Sequence, residues 1–182
     1  MIKICRPFKN ARPKSISQGF NSQHFANDFA GGYGEILVAP FNAKVANVVG
    51  EGPLDGSDAS LRQGCGVRLV SIEDPTLSIS YWHTLPFFPV KKGDTVAQGQ
   101  FVAQMGNTGF VMSGGKYVEI NIRLIPPYPG THTHISFGQH DSVGNYTNLD
   151  YSKFIDWSIP ITYNPILEMK ALLQRLINLL KK

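Results

Sequence analysis

Glycine and proline cut this chain into pieces too short for long helices. There are 18 glycines and 12 prolines in 182 residues. They fall between apolar runs that alternate with a period of two, and that pattern favours many short strands joined by turns. Ile36 to Val49 is β-branched and interrupted at Pro40-Phe-Asn, which reads as strand, turn, strand. Val67 to Ile72 and Leu77 to His83 flank Asp74-Pro75 and read as a hairpin. On the return strand Leu77, Ile79, Tyr81 and His83 are expected to share one face. Gly93 and Gly99 fall where tight turns need positive φ. Val118, Ile120, Ile122 and Leu124 alternate with Glu119, Asn121 and Arg123, so 117–124 is expected to be a half-buried strand. Thr131 to Phe137 alternates as well. The body is read as all-β.

The tail differs. Asn164 can cap a helix and Pro165 suits its first position. Ile166, Met169, Leu173, Leu176 and Leu180 then form a heptad-like seam. An amphipathic helix over 165–182 is expected, packing on the body or on a second copy, with membrane-surface binding as the alternative. The predicted division is therefore 1–160 for the main domain and 161–182 for this helix.

Composition excludes some classes. A hydrophobic share of 42% with 16% charge is that of a folded chain, not a disordered one. The net charge of +4 is compatible with any anionic partner, but no Lys/Arg stripe interleaved with aromatics points to nucleic acid. No apolar run has the length of a signal peptide at the N-terminus or of a transmembrane segment anywhere. Cys5 and Cys65 are too few for a disulfide framework and are read as small buried hydrophobes.

The histidines carry the chemistry. Only five exist. His132 and His134 lie two apart in a strand-like run, so both rings leave one face, about 6–7 Å apart along the strand. Thr133, Ile135 and Phe137 then face the core. His24 and Asp28 are four apart; fully extended, they would be roughly 13 Å from each other, too far to share an ion. The chain must therefore bend near Ala26-Asn27. Two imidazoles and a carboxylate would give zinc three ligands and leave a fourth position open. His83 ends Tyr81-Trp82-His83 and can transfer protons nearby. His140 is read as an ordinary residue of a polar loop.

In order, His24…Asp28, Tyr81-Trp82-His83, Val90 to Gln100, Gly106-Asn-Thr-Gly109 and His132-Thr-His134 resemble the motifs of the lysostaphin/LytM-type zinc metalloendopeptidases. The resemblance covers roughly Ser17 to Gly138. It implies a barrel-sandwich hybrid fold (duplicated hybrid motif) with an open groove. It implies zinc held by His24, Asp28 and His134, with His83 and His132 flanking the water and the scissile carbonyl. The implied activity is amide hydrolysis in the peptide stems or cross-bridges of bacterial peptidoglycan, at the cell wall or outside the cell. A phage lysin, a virion-associated hydrolase or a fragment of a longer secreted protein would all fit.

Three departures stand out. Ala26 and Ala43 replace usual glycines, and residues 110–131 are inserted before the H-x-H, which bears on the groove wall. Two rival readings remain. One is a catalytically inactive wall-binding or regulatory module on the same scaffold. The other is a lipoyl-type carrier, which needs a modified Lys at a hairpin tip, and none is found.

Overall fold

The structure is a computed structural model. It describes residues 4–10, 14–50 and 62–161, together with Ile166, Met169, Leu173 and Ile177. Along the described chain the strands are β1 (Ile4–Cys5), β2 (Ile16–Gln18), β3 (Asn27–Ala30), β4 (Ile36–Val38) and β5 (Ala43–Val49). Next come β6 (Gly66–Ser71), β7 (Leu77–Trp82), β8 (Thr95–Val96), β9 (Phe101–Gln104), β10 (Met112–Ser113) and β11 (Lys116–Tyr117). A single helical turn, α1 (Ile120–Arg123), precedes β12 (His132–His140), β13 (Tyr146–Leu149) and β14 (Ile155–Asp156). The protein is all-β.

The main sheet runs β2-β3-β12-β7-β6-β5-β8. The nine-residue strand β12 organises it. One edge of β12 pairs with β7 along most of its length; the other is shared, by β3 over His132–Ile135 and by β13 over Phe137–His140. Smaller pairs, β4 with β9 and β1 with β14, lie outside this sheet.

Alternation decides which face is buried. Thr133, Ile135 and Phe137 of β12, Ile79 and Tyr81 of β7, Val67 and Leu69 of β6 and Phe29 of β3 are all essentially inaccessible to solvent. Except for Thr133 they belong to one cluster with Phe8, Leu37, Met105 and Tyr151. Each large apolar side chain so buried contributes about 1.5–3 kcal/mol. The two buried tyrosine hydroxyls are paired: Tyr81 donates to Val38 O at 2.9 Å and Tyr151 to Cys5 O at 3.1 Å. Cys5 and Cys65 are buried and free, and burial pushes the Cys5 thiol up to about 11, against the pull of Arg6. Gly93 and Gly99 have positive φ, as the turn spacing predicts.

Three expectations are corrected. Residues 117–124 are not a half-buried strand. Tyr117 ends β11, Ile120–Arg123 is helical, and Ile120, Ile122 and Leu124 are exposed while Arg123 is only 2% exposed. Among the described residues the apolar alternation finds no ladder partner there, and the buried guanidinium sets the local fold. His140 lies in no loop; it closes β12, paired with Tyr146, and its Nδ1 donates to Gly144 O at 3.2 Å. His83 does not continue the face of Ile79 and Tyr81, as described below.

The helix expected over 165–182 falls almost entirely outside the described residues. The four described positions have helical backbone, and Ile166, Met169 and Leu173 are exposed. No helix among the described residues is long and apolar enough to cross a membrane.

Candidate metal centre

The face of the main sheet opposite the core carries the histidines. In β12 the residues that alternate with Thr133 and Ile135 are His132 and His134, and in register beside His134 on β3 stands Asp28. One strand thus supplies two rings and its neighbour a carboxylate. His24 arrives from the turn that precedes β3. The Asn21 side chain accepts from the backbone N–H groups of Gln23 and His24 at 2.8 and 3.0 Å, and the main chains of Asn21 and His24 pair with each other. This Asx-type turn and the bend at Ala26 fold the segment back, so His24 and Asp28 meet. The kink expected near Ala26-Asn27 corresponds to the bend at Ala26.

His83 reaches the same place by a different device. Strand parity would send it into the core beside Tyr81. Its φ of 59° puts it in the left-handed region instead, and the ring swings to the histidine face. Its centroid lies 4.7 Å from that of His132 and 5.8 Å from that of His134. Such a conformation is costly for a residue with a β-carbon. It is held by backbone bonds from His83 N to Gln63 O at 3.1 Å and from Thr84 N to Cys65 O at 3.1 Å. The 62–65 loop that supplies these acceptors packs backbone against backbone on residues 108–109. Gly64 and Gly109 have φ of +63° and +76°, and a β-carbon on either would strike the other's segment.

The structure brings all five sequence-predicted residues together. Ligand atoms of His24, Asp28 and His134 lie within 4.8 Å of one another. Nδ1 of His134 is 2.9 Å from Asp28 Oδ1, Nε2 of His24 is 3.4 Å from the same oxygen, and Nε2 of His132 is 3.8 Å from Oδ2. Ring orientation is set by carbonyls, which can only accept. Nδ1 of His24 donates to Gly19 O at 3.2 Å, Nδ1 of His83 to Thr108 O at 2.8 Å and Nδ1 of His132 to Gly130 O at 2.8 Å. In these three rings Nε2 is left without its proton when the ring is neutral.

Two electrostatic shifts follow. Burial, then the neighbouring His132 ring, takes His83 down to about 3, although its bond to Thr108 works the other way. His83 is therefore neutral at physiological pH. Burial opposes ionisation of Asp28, but His134 at hydrogen-bonding distance and the charges of His132, His134 and His24 outweigh it, and the carboxyl sits below the usual range.

The donor set fits a divalent cation. Asp28 Oδ1 is wholly buried and receives no well-directed hydrogen bond, although two imidazole nitrogens approach it. A buried unsatisfied oxygen at the meeting point of ring lone pairs is what a shared ion would leave when removed. His24 and Asp28 with His134 can hold a metal, and two imidazoles with one carboxylate match the preference of zinc.

These residues line a cleft of about 770 Å³. Its walls include Gln18, Gln23, Arg62, Phe110 and the Gly114-Gly115 tip of the β10–β11 hairpin, so the inserted segment does form part of the wall. Sequence reading named neither Arg62, whose guanidinium lies 4.4 Å over the Phe110 ring, nor the carbonyls that orient the rings. The Gly106–Gly109 motif was the available signal for Thr108 O. For Arg62 the sequence gives none.

Several solved structures share this fold. A zinc-containing peptidase from Vibrio cholerae is 22% identical with a TM-score of 0.51, over 80% of this chain and 39% of that one. LytU is 22% identical with a TM-score of 0.51, over 84% and 83%. The catalytic domain of lysostaphin from Staphylococcus simulans is 18% identical with a TM-score of 0.52, over 78% and 91%. The chain thus spans well under half the length of the first and most of the other two. No curated protein sequence matches. The family model described as Peptidase family M23 matches residues 22–134, from just before His24 to His134, and the chain belongs to that family.

Proposed function

We propose that this protein is a zinc-dependent endopeptidase that hydrolyses amide bonds in the peptide stems or cross-bridges of bacterial peptidoglycan. His24, Asp28 and His134 are the metal ligands, and His83 and His132 handle protons. The convergence of three ligand atoms within 4.8 Å around a buried, unsatisfied carboxylate oxygen carries this reading. Family membership supports a metallopeptidase, and the likeness in fold to the zinc-containing peptidase from Vibrio cholerae supports the choice of metal.

Zinc, when bound, acidifies a coordinated water and polarises the scissile carbonyl. The rest is supplied by the chain. His132 presents an unprotonated Nε2 on the open side of Asp28 and accepts a proton there. His83, neutral and adjacent, shares that task through its own bare Nε2. Asp28, buried and ionised, balances the positive charge of the centre. The cleft walls hold an extended peptide across the histidine face. Residues 1–160 form the peptidase unit in this reading, and 161–182 a docking or self-association helix.

Zinc content measured beside muropeptide release tests the assignment. His132→Ala is expected to keep one zinc per chain and lose cleavage, whereas His24→Ala loses the metal itself. Full release by His132→Ala would reject the role given to it. Bound zinc with no release from any peptidoglycan by the parent protein would favour a silent wall-binding module.

A further inference from the structure

The inserted segment does more than wall the cleft. Arg123, almost wholly enclosed, donates Nε to Val118 O at 2.8 Å, and its Nη1 donates to Asn107 O at 3.1 Å and to Gly109 O. Asn107 returns the contact. Its Nδ2 donates to Arg123 O at 3.0 Å and to Pro129 O at 3.1 Å. Arginine and asparagine thus clasp each other across the insertion, each binding the other's main-chain carbonyl.

Each end of this clasp adjoins a carbonyl that orients a histidine. Residues 107 and 109, both held by Arg123, bracket Thr108, whose oxygen accepts from His83 Nδ1. Pro129, held by Asn107, precedes Gly130, whose oxygen accepts from His132 Nδ1. Gly106 and His132 are also paired through their backbones. A buried cation satisfied by carbonyls is expensive to keep unless its geometry is needed.

We infer that the Arg123–Asn107 clasp is a positioning device that locks His83 and His132 as Nδ1–H tautomers, so that both aim Nε2 at the metal centre. Arg123 touches no substrate; it acts through the 107–109 turn and the 129–130 return. The planar fork of arginine suits carbonyls arrayed around it, and a lysine ammonium cannot span them. The inference rests on His83 and His132 being the proton-handling pair proposed above, but its first readout does not depend on catalysis.

The test uses the full, zinc-loaded, nitrogen-15-labelled chain and long-range proton–nitrogen correlation spectra of the imidazoles. In the parent, His83 and His132 should each show a protonated Nδ1 and a bare Nε2. In Arg123→Lys the expectation is retained zinc and an averaged tautomer at His83. Turnover on peptidoglycan should fall roughly 10- to 100-fold with KM little changed. Asn107→Ala should produce the averaging chiefly at His132. Unchanged imidazole spectra and turnover in both variants would overturn the inference. So would failure of both to fold, which would make the clasp a requirement of the fold alone. A zinc-loaded parent with fixed tautomers and no hydrolysis would sink the proposed function while leaving the tautomer comparison to decide the clasp.

Discussion

Residues 131–137, in and beside β12, and residues 117–124 of the inserted segment both alternate in sequence, yet only the first stretch folds as its pattern suggests. Thr133, Ile135 and Phe137 enter the core because β12 has ladder partners on both edges, and the alternating residues His132 and His134 are thereby set together, half-buried, on the opposite face. Val118 to Leu124 has the same period but, among the described residues, no neighbouring strand to satisfy its backbone. There the strongest local demand is that of one guanidinium, and it draws the chain into a helical turn with Ile120, Ile122 and Leu124 outside. Alternation thus predicts a strand only where hydrogen-bonding partners and a core face are both within reach.

That contrast can be broken by substitution. The largest effect belongs to Asp28→Ala, which removes the carboxylate shared by the cluster. Zinc stoichiometry by elemental analysis is expected to fall from one to near zero and peptidoglycan hydrolysis to vanish. Retained metal would show that the β3–β12 register does not build the centre. Phe137→Ala, on the core face of the same strand, should cost about 3–5 kcal/mol in denaturant unfolding; a cost below 1 kcal/mol would mean that this face is not packed as described.

Tyr81→Phe probes the buried polar part of that core. Val38 O loses its donor, at an expected cost of about 1–3 kcal/mol. The Tyr81 hydroxyl is held well above the usual tyrosine range, chiefly by burial and then by Tyr151 and Cys5. The raised value favours the neutral phenol in the fold. Its contribution is complete below about pH 10, where unfolded tyrosine is also neutral, and is lost as pH rises beyond that. The parent should therefore lose stability above pH 10, and Tyr81→Phe should lose less; equal alkaline slopes would contradict the burial of this hydroxyl. The smallest effect is expected in the insertion, where Ile122→Gln should change stability by no more than about 0.5 kcal/mol. A loss of 2 kcal/mol or more would restore the half-buried strand.

Much of the site was legible because it depends on local spacing. H-x-H in a strand fixes two rings on one face, and the four-residue step from His24 to Asp28 requires a bend, which lies at Ala26 as the spacing predicts. What escaped depends on contacts between distant segments. His83 leaves the strand face through a left-handed backbone that no glycine announces, held by Gln63 and Cys65 carbonyls from another loop. Arg123 looks like the solvent side of a strand until the turn at 107–109 folds around it. The edges of the main sheet, β2 and β8, are too short for a pattern to reveal. The cleft walls are likewise drawn from five separate stretches, 17–30, 62–63, 83, 110–115 and 130–134, which spacing along the chain does not bring together.

The most direct test is anomalous diffraction at the zinc edge from crystals of the zinc-loaded protein. One peak per chain is expected, about 2.0–2.2 Å from Nε2 of His24, a carboxylate oxygen of Asp28 and Nδ1 of His134, with a fourth position facing the cleft. No peak there in metal-replete crystals, or a peak that leaves out Asp28, would contradict the account.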